Sequence, residues 1–200
     1  MKDDTYLTIA DHAEGLYKEK GSKFIALAYP VSDEEEIKSL LENIRKKYYD
    51  ARHHCYAYRL GREGLVFRAN DAGEPNHSAG DPILGQLRSY NITDVLIVVV
   101  RYFGGTKLGV GGLINAYKTA AADAIENSTI ITKITSADIR LQFDYLAMND
   151  VMRLVKDYDL HIKKQEFENT CHMVLEVRMS LQEEVRAKLS TLVDVQVKEP

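Results

Sequence analysis

Two stretches of this 200-residue chain carry residues whose types and spacing suit chemistry. The first is ANDAGEPNHSAGDPIL, which concentrates Asp71, Glu74, His77, Ser78 and Asp81 beside glycines and prolines in a rigid polar loop. Turn grammar assigns Asp71 to Glu74 to a tight turn, and Asp81 before Pro82 to a helix cap. That leaves Glu74 and His77 as the candidate catalytic residues, a carboxylate and an imidazole able to act as base and orienter or to ligate a metal. The second stretch, VLIVVVRYFGGTKLGVGGLINAYKTAA from Val95 to Ala121, holds five of the twelve glycines. Here the anion-binding candidates are Arg101, Lys107 and the amides around Gly104, Gly105, Gly109, Gly111 and Gly112. Glycines permit close approach of a partner, and the first amides of the following helix lack internal acceptors.

Neither common nucleotide pattern fits, because no Walker lysine follows at the required spacing and no G-x-G-x-x-G can be read. The same glycines would also serve tight turns and close helix packing alone. Lys20, Lys23, Arg52, Arg101 and Lys107 lie near expected turn and loop ends, where they either converge on a phosphate groove or simply solubilise the surface. In His53-His54-Cys55, strand alternation sends Cys55 inward with His53 and Ala57 and places His54 beside Tyr56 and Tyr58. That strip could stack on bases or cover a neighbouring strand. A small buried thiol at Cys55 is inert rather than nucleophilic.

The elements that must position these groups follow from periodicity. Val95 to Val100 reads as a strand covered on both faces, and Leu113 onward as a helix to about Asn127. Ala13–Glu19 and Lys23–Tyr29 form a hairpin, followed by a helix with Ser32 and Glu35 as capping box and the stripe Ile37, Leu40, Leu41, Ile44 and Tyr48. Basic Arg45, Lys46 and Lys47 complement that helix's C-terminus. A second hairpin joins Arg52–Leu60 to Leu65–Arg68 across Gly61 to Gly64. After Asn127-Ser128-Thr129 the pattern restarts as strand (134–143), helix (147–158), strands (160–167 and 171–179), helix and strand (193–198). This βαββαβ order, with Ser180 and Glu183 as another capping box, is that of a ferredoxin-like split βαβ domain. The chain is therefore expected to be α+β with two domains, 1–128 and 129–200, bounded between Ile125 and Ile134.

A formal charge of −4, with neither half net basic, excludes a dedicated polycationic binder and leaves any nucleic-acid site as a local patch. Only Cys55 and Cys171 occur, without zinc spacing or a disulfide framework, so no metal, no disulfide and no cofactor are expected and a reducing cytoplasm fits. The acidic start is unlike a secretory signal, and no apolar run spans a bilayer, so no membrane partner is expected.

The segments Lys20-Gly-Ser-Lys-Phe24, ARHHCYAY from Ala51, DAGEP, SAGDPIL and VVRYFGGTKLGVGGLINAY from Val99 to Tyr117 resemble the bacterial YigZ branch of the IMPACT family. The resemblance implies a first domain similar to the second domain of ribosomal protein S5. It also implies a ferredoxin-like second domain similar to the C-terminal domain of elongation factor G. Eukaryotic relatives are translation regulators with an added RWD domain, for which this sequence shows no counterpart, so that domain's partner is not carried over. Gly21 stands where relatives often place lysine or arginine, which thins the basic cluster around Ser22.

The leading reading is a non-enzymatic, translation-associated regulatory protein that binds RNA or the ribosome, without DNA specificity. It would use the glycine loop, Arg101, Lys107, Lys23, Arg52 and His54 against phosphate or base. The alternative is a small enzyme acting on a phosphorylated or nucleotide-like metabolite, with Glu74 or His77 moving a proton. A regulatory protein-binding module is the third.

Overall fold

In the computed structural model, which describes residues 4–168 and 170–198, every residue from Val95 to Val100 is fully buried. Burial on both faces requires cover on both sides, and the surrounding elements supply it. The chain divides into two compact units, Tyr6–Lys133 and the segment from Ile134 onward, the latter including Asp4 and Thr5.

In the Tyr6–Lys133 unit, strands β2 (Ala13–Glu19), β3 (Ser22–Pro30), β4 (His53–Leu60), β5 (Val66–Asn70) and β6 (Val95–Tyr102) form one sheet. Its order is β2-β3-β6-β4-β5, antiparallel throughout, with β6 at the centre. Helix α1 (Glu34–Lys47) lays Ile37, Leu41 and Ile44 on Leu96, Val98 and Val100. Helices α2 (Gly80–Ser89) and α3 (Gly109–Glu126) cover the opposite face, where Val95, Ile97 and Val99 meet Ile83, Leu87, Ala116 and Ala120. Each such side chain removed from water contributes roughly 1.5–3 kcal/mol relative to exposure, which makes β6 the anchor of the fold. A separate pair, β1 (Thr5–Ile9) with β7 (Ile130–Ile134), was not legible in the sequence, since β7 is largely exposed and shows no alternating apolar face.

Several local expectations are corrected. Helix α1 is capped by Asp33, whose carboxylate accepts from the Glu36 amide, while Glu36 accepts from the Ser32 amide; the box lies one residue later than expected. Asp81 does not cap α2. The helix begins two residues earlier, at Gly80, and Asp71 from the preceding loop accepts from the amides of Ala79 and Gly80 instead. Helix α3 starts at Gly109 rather than Leu113, so Gly111 and Gly112 lie inside it.

From Ile134 onward the elements are β8 (Ser136–Phe143), α4 (Met148–Asp157), β9 (His161–Phe167), β10 (Cys171–Arg178), α5 (Gln182–Ser190) and β11 (Val195–Lys198). The order is βαββαβ, and the antiparallel sheet runs β11-β8-β10-β9. Alternation buries Ile139, Leu141, Met173 and Leu175 against Val151, Val155, Val185 and Leu189 of the helices. Ser180 does not form the expected box with Glu183; it lies in a 3-10 turn and donates to Asp4 at 2.6 Å. On the other face of the sheet, register aligns Lys198, Arg140, Val174 and Lys164 across four strands.

Candidate functional site

Strand parity places the central residue of the site. Val95, Ile97 and Val99 face α2 and α3, and Arg101 continues that row at the strand's end, opposite Phe24 of β3 and His53 of β4. A cation therefore sits on a core face, and something must neutralise it.

The loop 71–79 delivers that partner. Asp71 ties the loop into a fixed shape by accepting from the amides of His77 (2.8 Å), Ala79 (3.0 Å) and Gly80 (2.8 Å). Burial pushes the Asp71 carboxyl up, but these amides outweigh it and hold the pKa below the ordinary value. A turn in which the Glu74 amide donates to the Asp71 carbonyl then points Glu74 inward. Its Oε1 accepts from Arg101 Nη1 at 2.6 Å and from the Tyr117 hydroxyl of α3 at 2.8 Å, with the Glu74 and Arg101 side chains only 4 % and 8 % exposed. Behind Tyr117 the Cys55 thiol lies 3.3 Å from the hydroxyl and 3.0 Å from the Asp71 carbonyl oxygen. Burial pushes this thiol up to about 12, so it is a protonated bridge and not a thiolate nucleophile at neutral pH. Burial likewise raises the Tyr117 hydroxyl, with Cys55 and Glu74 adding to it.

Beside this buried chain opens a cavity of about 700 Å³. Arg52, His53, Glu74, Arg101, Lys107 and Gly109 line it, with Tyr102, Phe103, Leu108 and Val110 as its flatter, more apolar walls. The Phe103 ring is exposed, with the Arg101 guanidinium carbon 5.6 Å from its centroid. His53 Nδ1 lies 3.0 Å from the Ala72 carbonyl oxygen, which only accepts. This contact therefore places the proton on Nδ1, and in the neutral ring Nε2 is left as acceptor.

The structure thus brings together Arg52, Glu74, Arg101, Lys107 and Gly109, but not all the candidates. His77 is exposed and pairs with Asp81 at 2.5 Å, so it does not join Glu74 at the cavity. Its pKa is raised, first by that hydrogen bond and then by the charge of Asp81. His54 packs its Nε2 against the Tyr48 carbonyl at 3.1 Å, and burial lowers its pKa. Tyr56 and Tyr58 are buried under α1, Tyr58 donating to Glu34, so of the two readings of this strip, stacking on bases or covering neighbouring structure, the tyrosines follow the second. Lys23 lines a separate hollow with Tyr48 and Asp123. Gly104 serves packing: a Cβ there would fall 1.9 Å from the Gly21 carbonyl carbon, and its amide donates to Ser22 Oγ at 3.1 Å. The turn at Gly21 is likewise glycine for backbone reasons, with φ +79° and the Gly104 carbonyl against it. Gly105 lies in the loop, and Gly111 and Gly112 in the helix, none of them among the cavity's lining residues.

The residues missed from sequence are His53, Phe103 and Tyr117. Parity pairs His53 with Arg101 only once β4 is placed beside β6, whereas Phe103, an aromatic in a glycine loop, was readable as an exposed contact. Among the described residues, no group of three or more His, Cys, Asp or Glu side chains is placed to hold a metal ion, and no helix is long and apolar enough to cross a membrane. Cys55 and Cys171 are free and buried.

Residues 20–125 match the family model of the Impact N-terminal domain. The IMPACT family member YvyE of Bacillus subtilis is 31% identical over 160 residues, covering 80% of this chain and 74% of that one. The family member YigZ of Escherichia coli is 32% identical over 151 residues, 74% of each chain. A crystal structure of a hypothetical protein superposes with a TM-score of 0.71 at 27% identity, covering 98% of both chains.

Proposed function

The chain belongs to the IMPACT family, and from that membership and from its cavity we propose a translation-regulatory protein that contacts RNA or the ribosome beside its glycine-rich loop. The observation that carries this reading is the gathering of Arg52, Arg101 and Lys107 with the exposed Phe103 ring around one concave site at the start of α3. Cations fix phosphates without reading sequence, and an aromatic face accepts any base, so the site suits single-stranded RNA held without strong sequence preference. We read the two units as an S5 domain 2-like and a ferredoxin-like module, the latter from its βαββαβ order and the sheet order β11-β8-β10-β9. That kinship is an analogy of fold and adds only a direction. The aligned Lys198, Arg140 and Lys164 form the second contact surface in this reading. A reducing cytoplasm suits two free, buried cysteines.

A phosphorylated small molecule is the second reading, favoured by a cavity volume inside the range of roughly 300–1,000 Å³ usual for small-molecule sites. In that reading Glu74 braces the site through Oε1, which accepts from Arg101 and Tyr117, and Oε2 is the oxygen left to take a proton.

Binding of single-stranded RNAs of different sequence, measured over a salt series, tests the function. Lys107→Ala is expected to weaken all of them alike and to reduce the slope of log affinity against log salt by about one unit. Wild-type protein that retains no RNA at low salt would defeat the RNA reading.

A further inference from the structure

We propose that the cavity at the start of α3 receives a terminal phosphate monoester, gripped by the free edge of the Arg101 guanidinium, by Lys107 and by the first amides of α3. This rests on the reading of the cavity as the RNA-contacting site and specifies which part of the nucleic acid enters it.

Arg101 is committed on one side only. Nη1 is taken by Glu74, whereas Nε is buried and has no hydrogen-bond partner among the described residues. In a guanidinium, Nε shares an edge with Nη2, and that pair forms the fork that matches two oxygens of a phosphate or carboxylate. Arginine does not shed its proton to relieve an unpaired donor, so this buried Nε–H favours an acceptor that approaches along the edge it shares with Nη2. Glu74, itself held by Tyr117, fixes the guanidinium through Nη1, so an acceptor reaches Nε only as the side chains packed around that edge shift aside.

The helix start provides a second, independent set of donors. Helix α3 is 18 residues long, its N-cap Leu108 offers no side-chain hydrogen bond, and its first turn contains no acidic residue. Gly109 and Val110 line the same cavity as Arg101, so the positive end of the helix dipole, with first-turn amides that have no acceptor within the helix, lies at that cavity. Gly109 adopts φ +71°, a left-handed conformation that turns the chain into the helix here without strain. Exposed Lys107 adds a mobile cation.

Geometry then selects the ligand. An internal phosphodiester has two free oxygens and two chain exits, and a side chain only 8 % exposed favours a ligand with a single exit. A phosphate monoester has one exit and three free oxygens, matching three donor sets: fork, lysine and amides. A carboxylate offers only two. The exposed Phe103 ring beside Arg101 gives the attached ring or base a surface to stack on.

The test compares a short single-stranded RNA bearing a 5′-phosphate with the same RNA bearing a 5′-hydroxyl, and adenosine monophosphate with adenosine, on the full chain. The expected result is binding of the phosphorylated RNA at least about tenfold tighter, the worth of one charge-assisted contact. Arg101→Lys keeps the charge but loses the fork, and should abolish the difference. Since a buried substitution could disturb folding, Val110→Asp is the companion. An acid in the first helical turn leaves the chain at least as stable while repelling phosphate, and it too should erase the difference. Equal binding of both RNAs would overturn the terminal-phosphate inference and leave the RNA reading standing. Saturable, Arg101-dependent binding of the mononucleotide without RNA retention would uphold the phosphate site and defeat the RNA reading. No preference for phosphate in either pair defeats the inference outright.

Discussion

Glu74 and Arg101 stand 27 positions apart in the chain and meet at 2.6 Å, with Tyr117 donating to the same carboxylate oxygen. One element supplies each: a loop locked by Asp71, the end of the central strand, and the helix that begins at the glycines. The pair therefore couples the site's geometry to the packing of the whole unit.

Removing one member leaves the other charge buried. Glu74→Ala is expected to cost about 3–5 kcal/mol, whereas Glu74→Ala combined with Arg101→Met recovers much of the loss, because no charge is then stranded. Urea denaturation of both single variants and the double variant measures the coupling. Strictly additive losses would show that the two side chains do not depend on each other.

The exposed pair His77 and Asp81 sets a pH dependence with a definite sign. The raised pKa of His77 means that the pair's contribution is fully present below the ordinary histidine value of about 6.5 and is lost as pH rises through the elevated folded value. Side-chain NMR titration should find the His77 pKa above the ordinary value and, in Asp81→Asn, close to it. An unchanged titration in the variant would remove Asp81 as the cause.

Glycines of one motif should respond in opposite directions. Ala at 104 would collide with the backbone of Gly21 and Ser22, and overpacking of this kind costs roughly 1–3 kcal/mol. Ala at 111 meets nothing within 4 Å and lies inside α3, where replacing glycine gains roughly 0.5–1 kcal/mol. Thermal unfolding of Gly104→Ala and Gly111→Ala checks both. Equal shifts would mean that the loop does not rest on the hairpin turn.

Much of this arrangement was legible in the sequence. The run Val95 to Val100 announced a central strand, since only cover on both faces tolerates six apolar residues in a row, and the βαββαβ grammar after residue 134 followed from alternation and cap signals. Cap positions were less legible, because Ser32, Asp33 and Asp81 are all competent caps and the folded surroundings decide among them. Asp71, ten residues before Asp81, holds the α2 amides, a choice made by the loop's tertiary shape. Arg101 and Lys107 were readable as cations beside glycines. That Arg101 faces inward was not, since both faces of this strand are covered and parity alone does not choose, and neither was its partner Glu74: nothing local tells a loop carboxylate where the strand end will lie. That the strand face carrying His54 lies under α1 was not legible, because α1 comes from a separate stretch of chain.

The phosphate-gripping role of Arg101 is tested most directly by following its Nε–H resonance, with the backbone amides of Gly109 and Val110, while 5′-phosphorylated RNA is added to the isotope-labelled full chain. The account predicts that all three signals move together and saturably, the Nε–H toward the position of a hydrogen-bonded donor, and that the 5′-hydroxyl RNA leaves them in place. Saturation by the phosphorylated RNA with these three signals unmoved and the shifts confined elsewhere would contradict it.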